Sequence, residues 1–292
     1  PLWSRGLGDV YKRQLFTRCL KGNMRVTNPE IIRSVTKEWK GDRDSNGRPL
    51  VPDDILDRMK LVTTEEAWGT CRRNGYHFQF TGDWLNLHPD RVIVGRAVTC
   101  RWVPTRPDVH GSLIKQGEDE NRIGGQNSWV IDELKANDLI VVDLFGKVLN
   151  GTFAGDNLAT AIKSRSDTGM VIDGGIRDTQ RIFQMEDFNA FIRGVDPSAI
   201  ADVTMTDING ITRIGEATCV PGDVVLGTRT GVIFIPPHLA QEVVESSEAV
   251  RLKDEFGQQR IREGIYTPGE VDREFSDEMN RDFEEWKATR LS

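Results

Sequence analysis

Residues 151–180 read GTFAGDNLATAIKSRSDTGMVIDGGIRDTQ, and this stretch predicts a helix, a buried strand and the start of a second helix. Gly151 and Gly155 form a flexible segment directly before the predicted helix over 155–166. The apolar run at 168–175 is short and ends in two glycines, which is typical of a buried strand with a tight exit. The succession of helix, buried strand and helix predicts an α/β domain.

The sequence on both sides continues the alternation of helices and strands. Residues 127–146 predict a helix, a turn and a buried strand, and the Val-rich stretch 91–104 predicts an earlier strand. Residues 211–237 predict several short strands joined by tight turns. The chain shows no internal repeat and no Ser/Pro-rich linker. We therefore expect a single α/β core domain rather than two separate domains.

Helical segments flank the predicted core. Capping residues and apolar spacing predict helices within 28–40, 53–60, 63–75, 239–264 and 266–292. This pattern predicts an N-terminal helical extension over 15–58, a core over 59–245 and a C-terminal helical extension over 246–292.

The first fourteen residues, PLWSRGLGDVYKRQ, differ in character from the rest of the chain. They carry no apolar period, and they lack the apolar region of a secretion signal. The part SRGLGDVYKRQ resembles the in-frame translation of a common transposase sequencing adapter. We therefore expect residues 1–14 to be a sequencing-adapter scar and leave them out of the fold prediction.

Composition and charge exclude several classes of protein. The 292 residues are 38% hydrophobic and 28% charged, which is typical of a globular chain, and no apolar run approaches about 18 residues. We therefore expect no membrane partner. The net charge of −7, without a basic stripe, argues against a nucleic-acid partner. The four cysteines are scattered without metal-ligand spacing, which favours reduced thiols in a cytoplasmic protein.

The candidate chemistry lies in two loops of the 151–180 stretch. Asp156, Asn157 and Leu158 fall in the first turn of a predicted helix, where free amides bind a carboxylate or a phosphate. Arg177 and Asp178 follow the predicted strand, and the carboxyl end of a strand is where α/β sheets bind ligands. An arginine fork suits a carboxylate, and an aspartate suits Mg²⁺. Taken alone, Asp156 could be only a helix cap, and the Arg-Asp pair only a surface turn.

The order and spacing of these motifs resemble a known family. Asp156 is separated from Arg177 by twenty residues, and Asp178 follows at once, with GDNLA in front and VIDGGIRD behind. This pattern resembles the RraA-like family, which includes the 4-hydroxy-4-methyl-2-oxoglutarate and 4-carboxy-4-hydroxy-2-oxoadipate aldolases, divalent-metal (class II) pyruvate aldolases. The strand NDLIVVDLFG and the segment VPGDVVLGTRTGVIFIPP are similar to further motifs of the family. The likeness covers about 60–245.

The resemblance implies a site, an assembly and a fold. Arg177 corresponds to the arginine that holds the keto-acid carboxylate and carbonyl side, and Asp178 to the direct protein ligand of the metal. Gly155 to Leu158 correspond to the loop whose amides bind the substrate carboxylate. Asp156 corresponds to the acidic residue that works through a metal-associated water. The implied fold is a swivelling β/β/α-type core, assembled as a homotrimer or homohexamer with sites at subunit interfaces.

Several positions depart from the family pattern or stay open. Thr228 and Thr230 stand where the family often has Asp. Glu65 or Glu66 is a guess for an acidic group that a neighbouring subunit would supply. His110 lies in the stretch 102–111, which we predict to be a long loop near the site. There His110 could contact substrate or a metal-bound water, or have no role.

The resemblance implies a mechanism, and it leaves two alternatives. A 2-keto acid would chelate Mg²⁺ or Mn²⁺, and the metal would stabilise the enolate formed when the C–C bond breaks. The same chemistry would permit decarboxylation of oxaloacetate. One alternative is a non-catalytic regulator of a ribonuclease, since some relatives act in that way. A methyltransferase is disfavoured because no GxGxG follows the first strand.

Overall fold

The computed structural model describes residues 28–291. The predicted adapter scar, residues 1–14, and residues 15–27 of the predicted N-terminal extension lie outside the described residues.

Eleven strands are present in the described part of the chain. They are β1 (Phe80–Thr81), β2 (Leu85–Asn86), β3 (Ile93–Pro104), β4 (Asp138–Ala154), β5 (Met170–Ile176), β6 (Ala190–Val195), β7 (Val203–Ile208), β8 (Thr212–Ile214), β9 (Ala217–Cys219), β10 (Val224–Gly227) and β11 (Val232–Ile235). Nine of them form one mixed sheet in the order β1-β11-β10-β3-β4-β5-β6-β2, with β7 paired to β3. The central strands β3, β4, β5 and β6 are parallel, and the strands added around them are antiparallel. Strands β8 and β9 form a separate antiparallel pair.

The helices are α1 (Pro29–Val35), α2 (Asp53–Met59), α3 (Thr64–Arg73), α4 (Pro107–Asp119), α5 (Gln126–Asp132), α6 (Asp156–Ser166), α7 (Thr179–Phe183), α8 (Ala240–Arg262), α9 (Pro268–Val271) and α10 (Asp277–Leu291). A short 3-10 helix, Pro237–Leu239, precedes α8. Two of the predicted starts are held by side chains. Asn28 accepts hydrogen bonds from the first amides of α1, and Thr63 with Glu66 forms a capping box on α3. The predicted α/β class is confirmed.

Helices cover one face of the parallel strands. Leu113 of α4, Trp129 of α5 and Ile162 of α6 are buried against the side chains of β3, β4 and β5 that point to this face, such as Ile140 and Ile172. On the opposite face the β8–β9 pair buries its own apolar residues against the alternate positions of the same strands. The central strands are therefore apolar on both faces, as the continuous apolar runs in the sequence indicate.

A third cluster packs helices from before and after the central strands against the sheet. Ile55 of α2, Ala67 of α3 and Val243 of α8 pack together over β10 and β11. The predicted boundary at 58/59 falls inside α2, and the boundary at 245/246 falls inside α8. The division into extensions and core stays a prediction. A fourth, purely helical cluster centres on Phe256 and joins the distal half of α8 to α9 and α10.

Two local predictions are wrong. Gly151 lies in β4 rather than in a flexible loop, because β4 runs on as far as Ala154 and pairs there with the end of β5. Residues 102–111 are not a loop, since β3 continues to Pro104 and α4 begins at Pro107. His110 is therefore a helical residue. The fixed φ of proline favours the first position of a helix, which explains the start of α4.

No helix in the described residues 28–291 is long and apolar enough to cross a membrane.

Candidate functional site

The two predicted loops lie side by side at the carboxyl edge of the parallel strands. Gly155 joins β4 to α6 as the residue that precedes the helix, with an extended backbone. Arg177 and Asp178 join β5 to α7. Because β4 and β5 are adjacent parallel strands, their ends meet at the same edge. The backbone amide of Arg177 donates to the carbonyl of Ala154 at 3.0 Å, which fixes one loop on the other.

A side chain at Gly155 would force the Asp178 carboxylate to move. A β-carbon at this position would collide with Oδ2 of Asp178 and would lie 3.1 Å from Nε of Arg177. The φ of Gly155 is −108°, so the backbone alone would accept another residue, and a side chain here is opposed only by its contacts with Asp178 and Arg177. The structure therefore brings Gly155, Arg177 and Asp178 into direct contact.

Asp178 presents its carboxylate without a capping role. Its backbone is left-handed, with φ of 55°, a conformation that aspartate tolerates better than most residues. Although it precedes α7, its side chain makes no capping hydrogen bond to that helix. Nε of Arg177 is 3.6 Å from Oδ2 of Asp178, and both side chains are nearly half exposed. The two groups are thus accessible to a ligand from the same side.

Asp156 is held by donors on both carboxylate oxygens. Oδ1 accepts the backbone amide of Asn157 at 2.9 Å, and Oδ2 accepts Nη1 of Arg181 at 2.6 Å. The Arg181 hydrogen bond is the largest cause of a lowered pKa of the Asp156 carboxyl. The amide of Asn157 is therefore engaged by the neighbouring Asp156 carboxylate, and its assignment to substrate binding stays a prediction. Leu158 follows in the same turn of α6 and packs against the cluster on that face of the sheet.

Sequence reasoning missed Arg181. This residue lies in the first turn of the five-residue helix α7 and is four positions after Arg177. Arg177 lies before that helix, so helical spacing does not relate the two arginines, and no local pattern in the sequence marks Arg181. Its pairing with Asp156 depends on how α7 folds back towards α6, which no local pattern shows.

These side chains line one open depression of about 510 Å³ at the surface. Asp156, Arg177, Asp178 and Arg181 form one side, and Asp196 with Pro197 from the segment after β6 forms another. The lining carries two guanidinium groups and three carboxylates. It is therefore suited to an anionic ligand together with a cation.

The donor set fits a hydrated hard cation. Within residues 28–291, no group of three or more His, Cys, Asp or Glu side chains is arranged to hold a metal. Mg²⁺ usually keeps several waters and takes only one or two protein carboxylates, so Asp178 with waters is a sufficient set. Oδ2 of Asp178 packs against Gly155, while the Asp178 side chain is 44% exposed and lines the depression, where a hydrated cation can reach it. The assignment of Asp178 to a metal stays a prediction.

The remaining candidates lie in ordinary structural contacts. Nδ1 of His110 is 2.8 Å from Oγ1 of Thr204. Glu66 accepts the amide of Thr63 and the hydroxyl of Ser247, both at 2.8 Å, while Glu65 is exposed. Oγ1 of Thr228 accepts the amide of Thr230 at 3.2 Å, so these residues build the late turn.

The fold and the site define an α/β protein with an acidic and arginine-bearing depression at the carboxyl edge of its parallel strands. Residues 54–234 match the RraA-like family, described as Aldolase/RraA, and the chain belongs to that family. The predicted resemblance is confirmed.

Matches to curated relatives support the family, and each match covers only part of the relative's length. A protein of Halalkalibacterium halodurans, whose name assigns it provisionally as a 4-hydroxy-4-methyl-2-oxoglutarate aldolase, is 29% identical over 133 residues. The match covers 46% of this chain and 62% of that protein. A Methanocaldococcus jannaschii protein without an assigned activity is 27% identical over a match that covers 44% of this chain and 62% of that protein. The chain thus spans about three fifths of these curated relatives.

Solved structures share the fold. The RraAS2 protein of Streptomyces coelicolor, titled an unusual member of the RNase ES inhibitor RraA family, superimposes with a TM-score of 0.60 at 22% identity. The superposition covers 73% of this chain and 98% of the RraAS2 chain. An uncharacterized Pseudomonas syringae protein gives a TM-score of 0.64 at 19% identity, over 80% of this chain and 98% of its own.

Proposed function

We propose that the chain is a divalent-metal-dependent (class II) aldolase, a carbon–carbon lyase that cleaves a 4-hydroxy-2-keto acid to pyruvate and a carbonyl product. The observation that carries the proposal is the contact of Gly155 with Arg177 and Asp178, beside Asp156. This contact gathers a carboxylate-binding fork and an oxygen donor for a cation at one point. Decarboxylation of oxaloacetate is proposed as a side activity because it produces the same enolate.

The residues at the depression have separate roles in this reaction. Arg177 binds the carboxylate and carbonyl side of the keto acid, and its charge stabilises oxygen atoms on which negative charge develops. Asp178 holds Mg²⁺ or Mn²⁺, which when bound supplies Lewis-acid stabilisation of the enolate. The turn from Gly155 to Leu158 lies at the amino end of α6, where its amides would bind the substrate carboxylate. Asp156 orients the water that takes the proton of the 4-hydroxyl.

We also propose a homotrimer or homohexamer in the cytoplasm. The side chains of Arg177 and Asp178 are 47% and 44% exposed in the single chain. A neighbouring subunit seated over the depression would exclude water from them, which strengthens electrostatic interactions at the reacting atoms. Size-exclusion chromatography with light scattering distinguishes the trimer from the hexamer and from a monomer.

The alternative of a non-catalytic ribonuclease regulator has less support in this chain. A regulator that acts through surface contacts needs neither the Arg-Asp pair nor the turn that meets it. The likeness to RraAS2, at 22% identity, concerns the fold alone. A pull-down with the ribonuclease that also shows no pyruvate-forming activity would favour the regulator.

The test is a pyruvate-release screen against 4-hydroxy-2-keto acids and oxaloacetate, with and without EDTA. We expect release that EDTA abolishes and that Mg²⁺ or Mn²⁺ restores. The variants Arg177→Ala and Asp178→Ala should lose release while keeping wild-type circular dichroism. Asp90→Ala is the matched control, because Asp90 is an exposed carboxylate before β3, outside the depression. Full activity in EDTA, or in either site variant, would refute the proposal.

A further inference from the structure

Arg181 links the two helices that begin at the depression. It lies in the first turn of α7, and its Nη1 reaches Oδ2 of Asp156 on α6 at 2.6 Å. Among residues 28–291, Asp156 is the hydrogen-bond partner of this guanidinium. The arginine therefore joins the amino end of α6 to α7 at the side of the depression where Arg177 and Asp178 lie.

The two partners differ in exposure, which separates a role in orientation from a role in folding. The side chain of Arg181 is 79% exposed, whereas that of Asp156 is 22% exposed. An ion pair with so exposed a member adds little to the stability of a fold. Removing the guanidinium should thus leave the fold intact and change mainly how Asp156 is held.

The orientation of Asp156 depends on two donors. One is the backbone amide of Asn157, which no side-chain substitution removes. The other is Arg181, which occupies the second carboxylate oxygen. Without Arg181 that oxygen has no protein donor among the described residues, so the carboxylate gains freedom to rotate about its side-chain torsions.

We propose that Arg181 is a positioning residue that holds the Asp156 carboxylate in a fixed orientation beside Arg177 and Asp178. The inference rests on the proposed function, because it assigns Arg181 an effect on turnover through Asp156. A misplacement of about 1 Å in a catalytic arrangement can lower the rate by on the order of 100-fold. If Arg181 instead bound substrate and transition state equally through a direct contact, its loss would raise KM and leave kcat unchanged.

The experiment combines kinetics with crystallography on the full chain. We compare wild type with Arg181→Gln, Arg181→Lys and the control Arg165→Gln. Arg165 is the matched choice, because it forms an ion pair of the same length, 2.6 Å to Asp132, and lies at the far end of α6. Asp132 is outside the depression, so this pair has no part in the site. The kinetic readout is kcat and KM for pyruvate release with Mg²⁺. The structural readout is the position of the Asp156 carboxylate in crystals of wild type and Arg181→Gln.

We expect Arg181→Gln to lower kcat at least tenfold with KM within twofold, Arg181→Lys to recover part of the loss, and Arg165→Gln to match wild type. In the crystals, the Asp156 carboxylate should rotate or lose a defined position in Arg181→Gln. An active wild type with an unchanged kcat in Arg181→Gln would overturn the inference and leave the proposed function standing. An inactive wild type would end the proposed function, and the crystals would then decide the positioning role, since an unmoved carboxylate in Arg181→Gln contradicts it.

Discussion

Arg48 offers a direct test of whether the segment before the family match is part of the core. This side chain is 1% exposed, although it lies in a loop between α1 and α2. Its guanidinium is 2.8 Å from Oδ1 of Asp138 and 3.2 Å from Oδ2 of Asp44. Asp138 is the first residue of β4 and is also 1% exposed.

Replacing Arg48 with alanine leaves the buried Asp138 carboxylate without its main partner. Removing one member of a buried ion pair typically destabilises a protein by about 3–5 kcal/mol, because an uncompensated charge stays in the interior. Asp138 retains the backbone amide of Lys135 at 2.9 Å and lies 3.9 Å from Nε of Arg96. We therefore expect a loss at the lower end, about 3 kcal/mol.

The assay is equilibrium unfolding in urea, read by circular dichroism and by tryptophan fluorescence. The control is Arg58→Ala, because the Arg58–Glu248 pair is more than one third exposed on both sides. That variant should lose no more than about 1 kcal/mol. A loss below about 1 kcal/mol in Arg48→Ala, with an unchanged dependence on urea, would refute the reasoning. It would mean that the buried Arg48–Asp138 pair contributes little to the stability of the core.

Two further predictions concern Gly155 and Asp223. Gly155→Ala should abolish pyruvate release while the fold persists, because the new β-carbon would displace the Asp178 carboxylate. The control is Gly111→Ala, whose β-carbon would meet no atom within 4 Å. Activity retained in Gly155→Ala would contradict the role of this close approach. Burial raises the pKa of Asp223 to about 8, so this carboxyl stays protonated in the folded state at pH values where the unfolded state, with a pKa near 4, has released the proton. The protonated carboxyl therefore contributes fully to the free energy of unfolding below about pH 4, and this contribution is lost as the pH rises to about 8. Urea unfolding of Asp223→Asn between pH 4 and 8 should depend less on pH than unfolding of wild type, and identical pH profiles would show that this carboxyl is not the cause.

Much of the architecture around the site follows from local sequence. The apolar run of β5 and its glycine exit predict a buried strand, and parallel strands place their ends at one edge. Thr63 and Glu66 predict the start of α3, because a capping box needs only two residues that are three positions apart. These signals are local, so a single sequence is enough to read them.

The features that the sequence did not reveal depend on contacts between distant residues. Arg48 and Asp138 are ninety positions apart, and the sequence shows nothing that links them. Gly151 belongs to a strand because β5 lies beside it and pairs with the residues that follow it, although a glycine-containing segment by itself favours a loop. The pairing of Arg181 with Asp156 likewise arises where α7 meets α6. Such contacts decide which candidate groups are free and which are engaged.

The position of the cation in the site can be measured by anomalous diffraction from crystals soaked with Mn²⁺ and pyruvate. The account predicts a single strong peak within coordination distance of the Asp178 carboxylate, on the side that faces the depression, with pyruvate against Arg177. The peak should vanish in Asp178→Asn crystals treated in the same way. A manganese peak elsewhere in the molecule, or none at Asp178 in an active protein, would contradict the account.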